Sequence, residues 1–366
     1  MKKTLAAVAV LGAFAGSALA ADVQLYGIID TGFQYKHFDS DITGFDSTDS
    51  FSMETGQQSG SRFGFKGTED LGNGLTVGFI LENQFDSDTG ALKDGLLFRR
   101  ESSLFLQGGF GKIAFGRMGS INQGVSSWGK IGRISAFGTS WTNSAQVGTI
   151  MSTSTIYDNM ISYETPDFAG FKVYAQYGMG DNGAENESGS DRYYALGATY
   201  DNGPVAAYLA VDSINYKSWD GATATDPDDS LTVTFGGSYN FEVAKVYLGV
   251  QYFDEVSAKY LNGTTGANGI ADKVEGWAAL LSADAPVAGG KAMFGVGYYD
   301  AEAAGSSDAD FDLSRWVVSA GYDYPLSKRT NVYGVATYAQ DSYERKGMDD
   351  VEPNVLAVMV GLRHKF

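Results

Sequence analysis

His37 and His364 are the only histidines among the 366 residues, and the chain contains no cysteine. Acid–base or nucleophilic catalysis usually needs a histidine beside a nucleophile or a paired acid. These two histidines lie at opposite ends of the chain, and without thiols there is neither a disulfide framework nor a thiolate metal site. The sequence therefore predicts that this protein is not an enzyme and has no built-in cofactor.

A different chemistry, the sorting of ions by fixed charges, fits residues 119–157. This segment contains Lys130 and Arg133 but no Asp or Glu, although the whole chain has a formal net charge of −18. Charges placed across a narrow passage decide which ions pass. The acidic balance elsewhere argues against a nucleic-acid partner, because phosphate binding needs a basic surface.

The segments that would position these charges have the residue pattern of β-strands. The chain has 48 Gly, 22 Tyr and 22 Phe but only 6 Pro, which is typical of aromatic strands joined by glycine-rich turns. Apolar and polar residues alternate with a period of two in sixteen segments. The predicted strands are 23–35, 60–68, 75–85, 98–108, 112–118, 159–165, 171–179, 193–201, 204–216, 230–241, 245–256, 273–285, 291–302, 313–324, 331–343 and 354–366.

The connections alternate between short turns and long polar segments. Short turns such as Asp201-Asn202-Gly203 place Asn beside Gly, whereas residues 36–59 and 119–157 read as long loops. Short turns at one rim and long loops at the other are typical of an outer-membrane barrel. A propeller would repeat every 40–50 residues, roughly, and no such repeat is present. We predict an all-β, sixteen-stranded antiparallel transmembrane barrel with periplasmic turns and extracellular loops.

The last strand shows the alternation clearly. Leu356, Val358 and Val360 share one face, while Arg363 and Lys365 lie on the other. A strand between lipid and water would have these two faces. Alternation alone does not say which face points outward.

The first twenty residues read as a secretory signal peptide. A basic start at Lys2 and Lys3 precedes a short apolar run and the small-residue pattern Ala18-Leu19-Ala20. The alternative, an N-terminal anchor, would need roughly 20 apolar residues. We predict a signal peptide at 1–20 and a barrel domain at 21–366.

Five segments carry a resemblance to a known family. Val23–Asp30, Ser61–Gly74, Gly109–Arg117, Ser162–Gly170 and Val360–Phe366 resemble the corresponding parts of general bacterial, Gram-negative porins. The resemblance implies a water-filled channel in the outer membrane for passive diffusion of small hydrophilic solutes and ions. It also implies a homotrimer, a third loop that folds into the barrel to form a constriction, and a terminal Phe366 that signals barrel assembly.

The resemblance assigns wall residues to that constriction. Arg62 matches an inward arginine, Lys66 lies further along the same face, and Glu82 is the expected inward carboxylate. Arg99 and Arg100 point to opposite faces of a strand, and the family spacing favours Arg100 in the lumen.

Residues 119–157 depart from the pattern of cation-preferring porins, which carry acids on this loop. We expect Lys130 and Arg133 to give a positive or weakly polarised constriction, with slight anion preference or little selectivity. Alternatively, both pair with acids of the wall. A solute-specific channel for sugars or organic anions is a second interpretation, in which Trp128, Phe137 and Trp141 would supply stacking surfaces.

The expected partners follow from the resemblance and from surface charge. They are outer-membrane lipid, lipopolysaccharide, the barrel-assembly machinery and periplasmic chaperones. Acidic clusters at 226–229 and 349–352 suggest divalent cations that bridge to lipopolysaccharide. We favour the alternative, solvated surface charge, because neither cluster has the ordered spacing of a dedicated calcium loop. A secondary role of the long loops as adhesin or phage receptor stays open.

Overall fold

The computed structural model describes residues 23–42, 44–180, 190–216, 228–258, 273–305, 310–347 and 349–366. The predicted signal peptide lies outside these residues. The strands are β1 Gln24–Asp39, β2 Thr48–Thr55, β3 Arg62–Gly72, β4 Leu75–Glu82, β5 Glu101–Gly108, β6 Gly111–Gly119, β7 Ile156–Glu164, β8 Phe171–Gly178, β9 Arg192–Asn202, β10 Val205–Asn215, β11 Leu231–Asn240, β12 Lys245–Ser257, β13 Lys273–Val287, β14 Gly290–Ala303, β15 Phe311–Pro325, β16 Thr330–Arg345 and β17 Asn354–Lys365.

The sheet closes on itself as a barrel. Each strand from β3 to β17 is antiparallel to the next, and β17 pairs with β1 from Ile28↔Lys365 to Asp39↔Asn354. The other edge of β1 pairs with β3 near its start and with β2 near its end. Strands β2 and β3 therefore share one position, and seventeen strands make sixteen barrel positions. The predicted fold is confirmed, and closure satisfies every edge, as hydrocarbon requires.

The side chains settle which face points outward. Large apolar residues such as Leu209, Phe235 and Leu248 are 44%, 56% and 50% exposed, whereas their inward neighbours Tyr208 and Thr234 are at most 1% exposed. An apolar outer wall around a polar and aromatic interior is the polarity of a barrel in lipid.

Aromatic pairs stand near both ends of the outer wall. Trp316 packs against Tyr338 at a tilt of 40°, with ring centroids 5.1 Å apart, toward the long-loop end. Tyr322 lies 6.4 Å from Tyr324 beside a short turn. These positions fit the interfacial girdles of aromatic residues that are typical of outer-membrane barrels.

The prediction of a loop at 36–59 is wrong. Strand β1 continues to Asp39, and β2 at Thr48–Thr55 pairs with it in a hairpin. The alternation in β2 is hard to recognise because Phe51 and Met53 are its only large apolar residues. The first long connection is therefore much shorter than expected.

The described residues contain three single helical turns, at Lys93–Gly95, Ile131–Ile134 and Val147–Ile150. None is long or apolar enough to span a membrane as a helix.

Candidate functional site in the barrel lumen

Residues 119–157 lie against the inner wall instead of projecting from the rim. The Ala136 amide donates to Ser282 Oγ of β13 at 2.9 Å, and the Ala145 amide donates to Ser319 Oγ of β15 at 2.8 Å. Wall hydroxyls thus satisfy backbone groups that would otherwise be buried without a partner. The segment crosses the lumen from the end of β6 to the opposite wall.

Wall glycines leave room for the apolar side chains of this segment. A Cβ at Gly249 would come within 2.7 Å of the Ile134 side chain, and a Cβ at Gly295 within 3.1 Å of the Phe137 ring. Ile134 and Phe137 are at most 1% exposed. Close packing of this kind fixes the segment rigidly on the wall.

The three aromatic residues of the segment are buried. Trp128, Phe137 and Trp141 are 2%, 1% and 6% exposed, and Trp141 packs edge-on against Tyr333 of β16. They fasten the segment to the wall, so their faces are not available as a stacking surface for solutes.

Residues 56–61, which connect β2 to β3, also lie against the inner wall, where Asp30 of β1 holds them by hydrogen bonds. One Asp30 oxygen accepts hydrogen bonds from the amides of Gln58 and Ser59 at 2.9 and 2.6 Å. The other accepts from the Tyr333 hydroxyl at 2.6 Å. These hydrogen bonds hold residues 56–61, which interrupt the barrel position shared by β2 and β3, against the inner wall.

The connection at residues 56–61 contacts the long segment 119–157 directly. The Thr142 amide donates to the Gln57 carbonyl at 2.9 Å. Sequence reasoning missed the contact, although the glycines at both ends of 56–60 and the inward Asp30 in the first predicted strand were available signals.

Glu82 is shared by two arginines. Its carboxylate lies 2.5 Å from Arg100 Nε and 3.6 Å from Arg62 Nε, and it also accepts from the Tyr26 hydroxyl at 3.0 Å. Arg100 then donates to the Val125 carbonyl at 2.6 Å. The predicted residues Arg62, Glu82 and Arg100 thus form one cluster, in which two cations face one carboxylate.

The neighbour of Arg100 has a different partner. Arg99 contacts Asp94 at 2.5 Å in the connection between β4 and β5. The pKa of the Asp94 carboxyl is lowered by this arginine. Arg100 is 7% exposed and reaches the long segment, so it is the arginine of the inner cluster.

The two cations of the long segment differ. Arg133 forms a bidentate pair with Asp201 at 3.0 and 2.8 Å, so it pairs with a wall acid. Lys130 has no carboxylate within 4.0 Å in the described part of the chain, and its ammonium group donates to the Ser127 carbonyl at 2.8 Å. Burial lowers the pKa of Lys130, against the attraction of Glu164.

Lys130 is close enough to Lys112 to be affected by its charge, and with Lys66 the two form a row of three lysines. Lys112 of β6 lies over the Trp128 ring at 4.9 Å, and together with Lys66 it lines a cavity of about 280 Å³. Among the described residues, neither Lys66 nor Lys112 has a carboxylate within 4.0 Å. Lys112 was missed from the sequence, although Lys112 and Ala114 alternate with Ile113 and Phe115 in a predicted strand.

The acids nearest this row are paired or buried. Glu164 pairs with Lys172 at 2.7 Å. Glu101 is 1% exposed and accepts from the amide and hydroxyl of Ser127. Within the described residues of this region, the three lysines are the charges without a carboxylate within 4.0 Å, so the lumen can attract anions at this level.

Phe366 closes the barrel beside the first strand. Its amide donates to the Gly27 carbonyl at 3.1 Å, and its carbonyl accepts from the Gly27 amide at 3.0 Å. Its ring occupies the space where a Cβ at Gly27 would lie, 2.3 Å from a ring carbon. The terminal aromatic thus covers a strand joint on the outer wall.

Comparisons with known proteins agree with this geometry. Residues 6–344 match the family model described as Gram-negative porin. Over the full length of both chains, the protein is 35% identical to an outer membrane porin protein of Bordetella pertussis and 32% identical to outer membrane porin protein 32 of Delftia acidovorans. The solved anion-selective porin from Comamonas acidovorans is 26% identical and superposes with a TM-score of 0.68, covering 95% of this chain and all of that one.

Proposed function

Because the chain belongs to the Gram-negative porin family and is an outer membrane porin that works by passive diffusion, we propose that its channel prefers small anions to cations. The narrowest part of the path lies between the long segment 119–157 and the wall of β3 to β6. Solutes pass the Glu82 cluster and the row of Lys66, Lys112 and Lys130.

The observation that carries this proposal is the imbalance of charge in the lumen. Lys66, Lys112 and Lys130 have no carboxylate within 4.0 Å in the described chain, whereas the neighbouring acid Glu164 is paired. A fixed cation beside the path lowers the energy of an anion there and raises that of a cation. The solved anion-selective porin from Comamonas acidovorans supports the same sign.

The overall negative charge does not oppose this proposal at the constriction. The net charge is −18, and acids such as Asp41, Asp49 and Glu344 lie near the long-loop rim. Fields from such charges fall off within about 8 Å at physiological ionic strength. Cations close to the path therefore outweigh acids at the mouth.

A sugar-specific channel is less well supported. It would need aromatic faces along the path, but Trp128, Phe137 and Trp141 are almost fully buried. The porins related to this chain are channels and not enzymes.

We further propose how the protein is exported, assembled and held in the outer membrane. A signal peptide at 1–20 would direct export, and Phe366 would act in recognition by the barrel-assembly machinery, after transfer from periplasmic chaperones. A homotrimer is supported by a solved structure of the same fold that is described as a trimer form. Carboxylates near the outer rim would bind divalent cations that bridge to lipopolysaccharide, but Asp226 lies outside the described residues.

Planar bilayers test the selectivity. The triple variant Lys66→Gln/Lys112→Gln/Lys130→Gln should lose most of the anion preference measured from zero-current potentials in a salt gradient. Lys245→Gln, which removes a cation beside Tyr247 on the far wall, is the matched control and should have little effect. An unchanged potential in the triple variant would refute the assignment of these lysines.

A further inference from the structure

A second basic site lies at the short-turn end of the barrel, which is the periplasmic end of outer-membrane barrels. It is a cavity of about 340 Å³ between the turn joining β13 to β14, the turn joining β15 to β16, and the end of β17. This volume lies in the range of roughly 300–1,000 Å³ that is typical of small-molecule sites.

The cavity concentrates positive charge in an acidic protein. Five cations and a single carboxylate line it. Among the described residues, none of the five has a carboxylate within 4.0 Å. The lining cations are Lys291, Lys328, Arg329, Arg363 and Lys365.

The one carboxylate of the cavity is already occupied. Asp323 accepts hydrogen bonds from the side-chain amides of Asn331 and Gln58, at 2.7 and 2.9 Å. These amides hold the carboxylate in place but do not neutralise it, and one negative charge cannot balance five positive ones. The cavity therefore has a net positive charge that an anionic ligand would neutralise.

The site is organised before any ligand binds. Arg363 donates through Nε to Asn331 at 3.0 Å and through Nη1 to Ser59 at 2.9 Å. A guanidinium has five N–H donors, so three of those of Arg363 make no hydrogen bond within the described residues. The Lys365 amide donates to the Arg329 carbonyl at 2.8 Å, which ties the end of β17 to the turn.

We propose that this cavity binds a small polyanion, a solute with two or more adjacent phosphate or carboxylate groups. Several cations that repel one another gain most from a ligand that brings several negative charges at once. A chloride ion would compensate only one of them. Binding here, at the periplasmic mouth, would obstruct the path from that side.

Calorimetric titration of the detergent-solubilised protein with inorganic tripolyphosphate tests binding without any measurement of conduction. We expect saturable binding that weakens as the salt concentration rises. The variant Lys291→Gln/Lys328→Gln should bind about tenfold more weakly or worse, because hydrogen bonds to charged groups are among the stronger ones. Neither lysine makes a side-chain hydrogen bond in the described structure, so this variant should fold.

The control Lys36→Gln/Lys245→Gln removes two lysines from other parts of the barrel and should bind as the wild type does. In bilayers, tripolyphosphate added on the short-turn side should reduce the chloride current, and the Lys291/Lys328 variant should resist this. Absence of binding, or equal loss of affinity in both double variants, would overturn the proposal. Because calorimetry does not depend on ion preference, failure here is distinct from failure of the anion-selective function.

Discussion

Arg100 Nε lies 2.5 Å from Glu82 Oε1, and Arg62 approaches the other oxygen of the same carboxylate at 3.6 Å. Glu82 therefore restrains two guanidinium groups that would otherwise repel each other. The cluster keeps one unit of positive charge and joins the wall to the long segment through the Val125 carbonyl. Selectivity and loop position are coupled at this point.

Glu82→Gln should strengthen the anion preference. The substitution removes one negative charge, and a unit charge about 8 Å from an ion in water contributes about 0.5 kcal/mol, or about twofold in the permeability ratio. Gln keeps the shape and can still accept from Arg100. Zero-current potentials provide the measurement, with Glu302→Gln on the exposed outer rim as the control. A shift toward cations would contradict the assignment of Glu82.

The Arg133–Asp201 pair should behave as mutually cancelling charges. Arg133→Gln exposes the acid and should shift the permeability ratio toward cations, while Asp201→Asn should shift it toward anions, each by about twofold. The double variant should return close to the wild type. Because both side chains are partly exposed, stability should change by less than about 1 kcal/mol. Single variants that shift in the same direction would show that the pair does not act on the ion path.

The anion preference should fall at alkaline pH. Burial lowers the pKa of Lys130, so its ammonium group loses its proton before an ordinary lysine with a pKa of 10.5 does. As pH rises through this lowered pKa, one positive charge disappears from the path. Lys130→Arg should retain the preference to higher pH, because arginine stays charged. Zero-current potentials from pH 7 upward measure this, and identical pH profiles for wild type and Lys130→Arg would exclude Lys130 as the titrating group.

Phe366→Ala should impair assembly more than conduction. The ring covers Gly27 on the outer wall, the face of the barrel opposite to the lysines of the lumen. We expect less folded protein in the outer membrane of cells, whereas protein refolded in detergent should conduct as the wild type does. Phe294→Ala, which removes an exposed aromatic in mid-strand, is the control. Equal yields for Phe366→Ala and wild type in cells would exclude the assembly role.

The strands were predictable because their information is local. The period of two and the short turns placed nearly every strand within a few residues. The faces predicted for the last strand are those observed in β17, where Leu356, Val358 and Val360 are exposed on the outer wall and Arg363 and Lys365 line an inner cavity. The exception is β2, whose apolar face is too sparse to stand out.

The lumen was harder to predict because its contacts link distant parts of the chain. The hydrogen bond between Tyr333 and Asp30 joins residues that are 303 positions apart in the sequence, so no local pattern predicts it. The sequence indicated that Lys130 and Arg133 would lie in a region without acids, but not that Arg133 would reach Asp201 and Lys130 would not pair. The inward position of Lys112 follows from the alternation of its strand alone, so it was predictable from the sequence.

The central claim is that the lumen selects anions because its lysines lack carboxylate partners. The most direct test is the zero-current potential of the wild-type channel in a planar bilayer under a potassium chloride gradient at neutral pH. We expect a potential with the sign of chloride permeation, and a smaller potential in the variant Lys66→Gln/Lys112→Gln/Lys130→Gln. A potential with the sign of potassium permeation would contradict it.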